Sequence, residues 1–354
     1  MYIHREIETT IQEMLKQFKV VLVTGARQVG KTTVLENCLK DSFSYVTLEN
    51  PIEASNAEND SLLFFDIHNL PLIIDEVQRV PSLFQTTKFI VDQSNDRGQV
   101  VLTGSQTYHL MKGVSESLAG RIGILEMSGL SVRELTENIH ERTPYIPATV
   151  REIKQPVNFN LWERIQRGSM PQLCATDIPW ERFWTSYTQA YLERDVRDLI
   201  NLKNESKFYD FMVAAAARSG QLFNASDIAN AIDVDYKTVQ SWLSILQASG
   251  IVRLLRPFWP NIGKTLTKTP KLYFMDTGLV CHLTRWTTPD QLRNGAVADH
   301  VFETFVVSEV LKSYMNAGAN LRDVWFYRDS KKREIDLVIQ EGHILHPVEI
   351  KTAA

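Results

Sequence analysis

A phosphate-binding loop is the first chemistry that the residue spacing predicts. The string Gly25-Ala26-Arg27-Gln28-Val29-Gly30-Lys31-Thr32 has the spacing GxxxxGK[ST]. Glycines in such a loop let backbone N–H groups and the N-terminus of the next helix face nucleotide phosphates. Lys31 would offset charge on the β- and γ-phosphates, and the Thr32 hydroxyl would ligate Mg²⁺. We therefore expect ATP and Mg²⁺ to bind at this loop and at Thr33; a chance glycine-rich turn is the alternative.

Two consecutive carboxylates, Asp75 and Glu76, follow the apolar run Leu72-Ile73-Ile74. The run predicts a buried strand, and parallel sheets bind ligands at the carboxyl ends of their strands. Asp75 would hold Mg²⁺ through water, and Glu76 would orient or deprotonate the water that attacks the γ-phosphate. The pair favours hydrolysis over binding alone, although an acidic pair at a strand end also caps turns and helices.

A second set of candidate residues lies towards the other end of the chain. It combines one acidic residue on a predicted helix with three charged residues on two predicted strands: Glu303, Asp336, Glu349 and Lys351. The set resembles the arrangement of PD-(D/E)xK nucleases, in which carboxylates bind Mg²⁺ and the lysine positions or activates water. A Glu-x-Lys on the solvent face of a strand is the alternative. Because the chain stops three residues after Lys351, we expect a truncated or vestigial lobe that cleaves DNA poorly.

The elements that must position these residues follow from the apolar periodicity. An amphipathic helix is predicted around Ile7–Leu15, followed by short apolar runs that predict buried strands. The predicted strands are Val20–Val23, Tyr45–Leu48, Leu72–Ile74, Val100–Leu102 and Ile122–Leu125. Helical segments separate them, including Thr33–Leu39. This alternation predicts an α/β domain in which helices cover both faces of a parallel sheet.

The remaining pattern predicts three further regions. Prolines interrupt residues 138–160, and the aromatic-rich segment 162–202 is typical of a helical connector. Three helices, the last capped by Asp235 and ending at Gly250, precede two strands, the second Lys271–Phe274, as in a winged helix-turn-helix. The predicted regions are a P-loop ATPase domain (1–137), a linker and helical connector (138–204), a winged helix-turn-helix (205–290) and a small nuclease-like α/β lobe (291–354).

The predicted wing is locally basic. Residues 251–275 contain five basic residues and no acidic one: Arg253, Arg256, Lys264, Lys268 and Lys271. We expect this segment to contact DNA phosphates, while a role in protein contact alone stays open. The preceding helix would expose Lys237, Gln240, Ser241 and Ser244, whereas Asp233 and Asp235 near its start would repel DNA.

Composition excludes several classes of protein. Hydrophobic residues make up 44% and charged residues 23% of 354, which is typical of globular proteins. The 38 basic and 42 acidic residues give a net charge of −4, which argues against a uniformly basic surface. Three separated cysteines indicate neither a disulfide framework nor a cysteine zinc site. With no apolar leader and no run of about 18 apolar residues, we expect a cytoplasmic protein without membrane contact.

Several strings beyond the loop carry a family resemblance: Ile74-Asp75-Glu76-Val77-Gln78, Leu102-Thr103-Gly104-Ser105, Ser117-Leu118-Ala119-Gly120-Arg121 and Tyr191-Leu192-Glu193-Arg194-Asp195-Val196. Over most of its length the chain resembles additional-glutamate P-loop ATPases, specifically AAA-type prokaryotic ATPases with winged-helix and nuclease-like regions. The resemblance implies that Ser105, or less readily Thr103, senses the γ-phosphate. It also implies that Arg121 is an arginine finger or sensor, with a surface ion pair as the alternative.

These observations predict an Mg²⁺-dependent ATPase whose nucleotide state is coupled to a winged-helix and nuclease-like output region, with DNA as a candidate target. The competing hypothesis is a nucleotide-gated switch or a DNA-associated regulator with negligible turnover. Whether the chain forms a homo-oligomer is left open.

Overall fold

The computed structural model describes residues 2–105, 110, 113–136, 144–147, 160–192, 205–259 and 268–352. Some predicted features lie outside these residues, namely Lys264, the string Glu193-Arg194-Asp195-Val196 and residues 138–143 and 148–159 of the predicted linker. Among the described helices, none combines the length and the apolar character that a membrane crossing requires.

A five-stranded parallel sheet forms the first part of the chain, as predicted. Its strands are β1 (Val20–Gly25), β2 (Ser44–Thr47), β3 (Leu72–Asp75), β4 (Val100–Gly104) and β5 (Ile122–Met127). They lie in the order β2-β3-β4-β1-β5, with Val20 of β1 aligned between Val100 and Ile122. The carboxyl ends of β1, β3 and β4 therefore meet at one edge, where parallel sheets bind ligands.

Helices cover both faces of this sheet. They are α1 (Ile7–Gln17), α2 (Lys31–Leu39), α3 (Pro51–Asn59), α4 (Ser61–Ile67) and α5 (Leu83–Asp92). Because successive strand residues point to opposite faces, Val21 and Val23 enter one apolar core while Val20 and Leu22 enter another. All four side chains are fully buried, which stabilises the fold by roughly 1.5–3 kcal/mol for each. Burial on both faces explains the unbroken apolar run in β1.

The described part of the predicted helical connector consists of short helices. After α6 (Val132–Leu135), the described residues form α7 (Leu161–Arg167), α8 (Pro171–Ala175) and α9 (Trp180–Tyr191). Gly168 ends α7 with a φ of 94°, and Pro171 and Pro179 stand at the starts of α8 and α9. These residues divide the segment into separate helices, because glycine adopts positive φ freely and proline is favoured at a helix start but not within a helix.

The next segment has the predicted order of three helices and a small sheet. The helices are α10 (Glu205–Ala216), α11 (Ala225–Ile232) and α12 (Tyr236–Ala248). The strands β6 (Gln221–Leu222), β7 (Val252–Leu255) and β8 (Lys271–Phe274) form an antiparallel sheet in the order β6-β8-β7. Asp235 caps α12, as predicted, because its side chain accepts hydrogen bonds from the N–H groups of Lys237 and Thr238.

The last part combines helices with a second antiparallel sheet. It comprises α13 (Thr277–Leu283), α14 (Pro289–Arg293), α15 (Ala298–Asn316), β9 (Val324–Arg328), β10 (Glu334–Glu341) and β11 (Ile344–Val348). The strand that was predicted to carry Glu349 ends before that residue, since the turn at Gly342 pairs Glu341 with Ile344 and β11 ends at Val348. Ile350 instead donates its N–H to the Asp336 side chain.

One apolar core crosses the predicted region boundaries. It contains Val21 of the parallel sheet, Trp184 of α9, Phe208 of α10 and Leu279 of α13. The predicted boundaries at 137 and 204 fall outside the described residues and stay predictions. The shared core means that the regions do not bury their apolar side chains independently.

Candidate nucleotide-binding site

The glycine-rich loop joins β1 to α2 and is built around positive-φ residues. Gly25, Gln28 and Gly30 have φ values of 145°, 60° and 91°. At Gly25 a Cβ atom would lie 2.0 Å from the carbonyl oxygen of Met127 in β5, so only glycine fits. The loop thus curls over the carboxyl end of β1, and α2 begins directly behind it at Lys31. This is the strand–loop–helix setting that phosphate binding requires.

Arg5 holds the loop from outside. Its buried guanidinium donates from Nη1 to the Val29 carbonyl at 2.9 Å and from Nη2 to the Ser128 carbonyl at 2.7 Å, and its Nε donates to Glu134 Oε1 at 2.8 Å. The Val29 carbonyl and the Gly30 N–H belong to the same peptide, and a trans peptide directs its C=O and N–H to opposite sides. The bond from Arg5 to the Val29 carbonyl therefore turns the Gly30 N–H away from Arg5. No sequence motif includes Arg5, because its partners lie 24 to 129 positions away along the chain.

Lys31 is buried within the loop, with 7% of its surface exposed. Its Nζ donates to the carbonyl oxygens of Gly25 at 3.0 Å and Ala26 at 2.9 Å. Main-chain carbonyls carry no full charge, so these bonds orient the ammonium group without neutralising it. The positive charge is therefore kept at the loop, where an anion would meet it.

The two oxygens of the Asp75 carboxylate, at the end of β3, differ in their hydrogen bonding. Its Oδ2 accepts a hydrogen bond from Thr32 Oγ1 at 3.1 Å and another from the Tyr45 hydroxyl at 3.0 Å. Its Oδ1 is buried and has no hydrogen-bond partner. Mg²⁺ prefers oxygen ligands and is commonly held by one or two carboxylates together with substrate phosphates. Asp75 and Thr32 fit that requirement.

Glu76 follows Asp75 in the left-handed conformation, with a φ of 56°. Gln78 Nε2 donates to its Oε2 in a short hydrogen bond. Burial raises the pKa of Glu76; Lys31 opposes this shift, the neighbouring Asp75 adds to it, and the bond from Gln78 opposes it. A non-glycine residue at positive φ carries backbone strain, which is often concentrated at functional sites. A carboxylate with a raised pKa is a better proton acceptor than an ordinary one.

Ser105 and Thr103 extend from the end of β4, but they occupy different environments. Both hydroxyls are buried without a hydrogen-bond partner. Ser105 lines the cleft beside the loop, whereas Thr103 is not among the residues that line it. The geometry therefore favours Ser105 over Thr103 as the residue that meets a bound phosphate.

The cleft at the loop has a volume of about 430 Å³. It is lined by predicted residues from the loop and from β3 and β4, namely Arg27, Gln28, Gly30, Lys31, Thr32, Thr33, Glu76 and Ser105. Its other wall comes from Pro171 and Gln172 of α8 and Ala190 of α9. No sequence motif includes these three residues, because nothing local connects α8 and α9 with a loop at least about 140 positions earlier.

A second cavity of about 300 Å³ adjoins the cleft and shares Gly30, Thr33, Pro171 and Gln172 with it. The remaining lining is mostly apolar and comes from the N-terminal segment, α2, α8 and the residue Leu130: Tyr2, Ile3, Arg5, Val34, Asn37, Leu130 and Ala175. Mostly apolar cavities with a few polar groups are typical of small-molecule sites.

Arg121 does not lie at the cleft. Its carbonyl oxygen accepts a hydrogen bond from the Val20 N–H, so it sits at the amino end of β1, whereas the loop begins at the carboxyl end. Five residue steps of a strand place these ends roughly 16 Å apart. Arg121 Nε instead donates to Asp92 Oδ1 at 2.6 Å. The prediction that Arg121 reaches a γ-phosphate bound to its own chain is wrong, and the alternative surface ion pair is present.

The members of the second candidate set each form contacts with other protein groups. Glu303 Oε1 accepts hydrogen bonds from Lys271 Nζ at 2.8 Å and from the Tyr273 hydroxyl at 2.6 Å. Asp336 Oδ2 accepts the Ile350 N–H at 2.7 Å. The exposed Glu349 pairs with Lys351 at 2.8 Å. Within the described part of the chain, no group of three or more His, Cys, Asp or Glu side chains is arranged to hold a metal, and the Mg²⁺ site expected at these residues stays a prediction.

The basic segment is only partly available to an anionic partner. Lys271 is 3% exposed and forms ion pairs with Glu303 at 2.8 Å and with Glu334 at 2.5 Å. Burial lowers its pKa, but these two carboxylates outweigh burial, and the net shift is upward. Arg253 forms an ion pair with Glu126 of β5. The prediction that Lys271 contacts DNA is therefore wrong, because the side chain is buried.

Two described members of the basic segment, Arg256 and Lys268, are exposed, and Lys268 Nζ lies 5.5 Å from the centre of the Trp259 ring. The predicted exposure of α12 is confirmed for all four residues that were expected at its surface: Lys237, Gln240, Ser241 and Ser244. The basic surface is thus smaller than the charge count alone predicted.

Three parts of the chain match protein families. Residues 17–136 match a family described as an AAA domain. Residues 158–290 match the domain of unknown function DUF8612, and residues 298–354 match DUF4143, also a domain of unknown function. The first match covers the loop, Asp75, Glu76 and Ser105, and together with the parallel sheet it supports a P-loop ATPase fold for this part. The other two matches do not assign a winged helix or a nuclease.

Two mycobacterial proteins are similar to this chain over nearly its whole length. They are the uncharacterized proteins Rv2008c of Mycobacterium tuberculosis and Mb2031c of Mycobacterium bovis. Each is 29% identical over 350 residues, which is 98% of this chain and 73% of the relative. The match spans both the parallel sheet and the regions that follow it.

Three solved structures are more distantly similar to this chain. The Walker-type ATPase PABY2304 of Pyrococcus abyssi is 15% identical with a TM-score of 0.49, over 78% of this chain and 94% of its own. The RuvB Holliday junction branch migration motor of Thermotoga maritima is 16% identical with a TM-score of 0.31, over 70% of this chain and 88% of its own. AMPPCP-bound DnaA of Aquifex aeolicus is 13% identical with a TM-score of 0.31, over 68% of this chain and 85% of its own. Scores this low carry no argument about function.

Proposed function

We propose that this chain binds ATP with Mg²⁺ at the glycine-rich loop and hydrolyses it. One observation carries the proposal. Three buried polar atoms at the carboxyl edge of the sheet lack a hydrogen-bond partner: Asp75 Oδ1, Gln78 Oε1 and Ser105 Oγ. Buried polar atoms are normally paired, because leaving one unpaired costs about 1–3 kcal/mol. A cluster of unpaired atoms beside a phosphate-binding loop is best explained by a polar ligand that pairs with them.

Each residue at the cleft has a separate role in this proposal. The loop N–H groups and Lys31 bind the phosphates, and Ser105 contacts the γ-phosphate. Thr32 and Asp75 would hold Mg²⁺, which when bound neutralises phosphate charge. Glu76 accepts a proton from the attacking water while the water oxygen bonds to the γ-phosphorus. The bond between that phosphorus and the β–γ bridging oxygen breaks, which gives ADP and inorganic phosphate.

The adjoining cavity is the proposed site for the nucleotide base. It begins where the cleft ends, at Gly30 and Thr33, and its apolar lining suits the faces of a purine ring. Asn37 and Gln172 supply the amide groups that would hydrogen-bond to the ring edge. Because α8 contributes to both cavities, a bound nucleotide would touch the parallel sheet and the helical region together.

We infer that residues 160–352 form an output region, which responds to the nucleotide bound at the loop. The apolar core that this region shares with the parallel sheet supports the inference. Gly250, which follows α12, approaches the loop so closely that a Cβ atom there would lie 3.4 Å from the Ala26 nitrogen. The ion pair between Arg253 and Glu126 spans the same junction. A change in the conformation of the loop would therefore alter the packing of α12 and β7. We propose that this region is a winged helix that contacts DNA through the exposed Lys237, Arg256 and Lys268.

The competing function is a nucleotide-gated switch with negligible turnover. The hydrogen bond from Gln78 to Glu76 favours it, because a carboxylate held by an amide is less free to take a proton from water. Steady-state release of phosphate by the purified protein, with and without duplex DNA, separates the two. An ATPase turns over with ATP alone, whereas a switch turns over slowly until a partner is added.

Binding of nucleotide is tested by calorimetry on Lys31→Ala, with Lys40→Ala at the other end of α2 as a matched control. Loss of the charged donor should weaken ATP binding about 10–100-fold, since bonds to charged groups contribute about 1.5–3 kcal/mol. Lys40 is exposed and away from the cleft, so its variant should bind like the wild type. Equal affinity in all three proteins would put the nucleotide elsewhere. A sizing profile run beside the assay addresses oligomerisation, without which Arg121 has no route to a bound phosphate.

A further inference from the structure

Tyr45 is bonded to the Asp75 carboxylate, although no sequence motif includes it. Its hydroxyl donates to Asp75 Oδ2 at 3.0 Å. Tyr45 lies on β2, an edge strand of the parallel sheet, and 38% of its surface is exposed. The ring is thus only partly buried, and Tyr45 also forms a side-chain hydrogen bond with Thr47.

The strand register explains why this tyrosine reaches Asp75. In the parallel pairing of β2 with β3, Tyr45 is opposite Ile73, so Asp75 is two positions further along on the same face. Such diagonal neighbours are roughly 7–8 Å apart at the backbone, which a long aromatic side chain can span. A tyrosine at position 45 can therefore reach the carboxylate, whereas a shorter hydroxyl side chain at this position could not.

Tyr45 and Thr32 together use one oxygen of Asp75 and leave the other free. Both hydroxyls donate to Oδ2, and Oδ1 is buried without a partner. Thr32 gives its only hydroxyl hydrogen to Asp75, so the lone pairs of its oxygen stay available to a cation. Two donors on one oxygen fix the rotation of the carboxylate and with it the direction of Oδ1.

We propose that Tyr45 is a positioning residue that holds Asp75 in the orientation that binds Mg²⁺ or its water ligands. This inference rests on the proposed nucleotide site. Partners that hydrogen-bond to a metal's carboxylate ligands orient those ligands, and their loss typically weakens metal affinity 10–100-fold. Tyr45 acts through Asp75 and touches no reacting atom.

The test compares Tyr45→Phe with Tyr209→Phe, an equally conservative change at a tyrosine on α10 with 37% of its surface exposed. ADP affinity is measured by calorimetry in excess EDTA, and binding of Mn²⁺ as the spectroscopic probe is then followed by electron paramagnetic resonance with ADP present. We expect Tyr45→Phe to weaken Mn²⁺ binding about tenfold and to leave metal-free ADP affinity unchanged. Tyr209→Phe should change neither quantity.

A second pair of variants tests the route through Asp75. Tyr45→Phe added to Asp75→Asn should weaken Mn²⁺ binding no further, because the carboxylate that Tyr45 positions is already gone. Unchanged Mn²⁺ affinity in Tyr45→Phe would overturn the proposal. A parallel loss of metal-free ADP affinity would also overturn it, since it would mean that Tyr45 supports the loop. Wild-type protein that binds no ADP at all would refute the nucleotide site itself.

Discussion

The carboxyl edge of the parallel sheet and the junction between α15 and the C-terminal sheet each gather carboxylates near a buried lysine, with opposite results. At the first, Lys31 bonds to main-chain carbonyls, and Asp75 keeps an oxygen without a partner. At the second, Lys271 bonds to Glu303 and Glu334. Similar residue types thus give a site with unused bonding capacity in one place and a closed ion network in the other.

Charged residues that lie near each other therefore do not by themselves form a ligand-binding site. In the C-terminal region Tyr273 adds a second donor to Glu303, and Asp336 is used by the Ile350 N–H. Each bond satisfies one oxygen of its carboxylate, and the buried Lys271 cation offsets the negative charge that would attract a metal ion. At the loop, the unsatisfied atoms cost stability unless a ligand pairs with them.

The largest expected difference between the two regions is in catalysis. Glu76→Gln should still bind ATP but lower the rate of phosphate release by about 10²–10⁴-fold, because the amide cannot accept the proton of the attacking water. Glu349→Gln, the same change at an exposed carboxylate of the C-terminal region, should leave the rate unchanged. Phosphate release measured beside nucleotide affinity checks both. Equal rates for the wild type and Glu76→Gln would remove Glu76 from the mechanism.

A change at Lys271 should affect stability instead of nucleotide binding. Lys271→Met leaves Glu303 and Glu334 without their buried cation, which should lower the free energy of unfolding by about 3 kcal/mol. Urea unfolding measures this, with Lys351→Met as the control, because Lys351 pairs with Glu349 at the exposed surface and should matter little. A stable Lys271→Met protein would show that the network contributes no net stability. Reduced ATP affinity would show that it is coupled to the cleft.

The smallest effect concerns Glu6, which has an unpaired buried oxygen outside the cleft. Its Oε1 accepts no hydrogen bond, and the nearest cation, Arg133 Nη1, is 3.8 Å away. Burial raises its pKa above the ordinary 4.5, partly opposed by a hydrogen bond from Asn316. The folded state therefore holds this proton more tightly than the unfolded state, and the resulting stability is fully present below pH 4.5 and lost as pH rises through the raised pKa.

Glu6→Gln should remove this pH dependence, because the amide does not titrate. Urea unfolding of the two proteins at several pH values should show the wild type losing stability relative to the variant as pH rises above 4.5. ATP affinity should not differ, since Glu6 does not line the cleft. A parallel pH dependence in both proteins would assign the effect to other groups.

Local features of the fold were predictable, while contacts between distant segments were not. The loop, Asp75, Glu76 and the five strands follow from spacing and apolar runs that each occupy a few consecutive residues. Tyr45 and Arg5 were missed because their roles depend on register and on partners far along the chain. Lys271 was misjudged because a charge count along the sequence carries no information on burial, and the buried ion pair uses the charge internally.

The bond between α1 and the end of α15 has a consequence for synthesis of the chain. Thr10 Oγ1 donates to the Asn316 carbonyl at 2.6 Å across a separation of 306 positions, and Asn316 Nδ2 donates to Glu6 at 3.0 Å. Contacts between residues so far apart in sequence form slowly, because the chain loses the entropy of closing a long loop before the contacts stabilise it. On the ribosome, the side chains of Glu6 and Thr10 must wait for Asn316 to emerge before these bonds can form. We therefore expect the nascent sheet to complete its N-terminal packing late, after translation has passed α15.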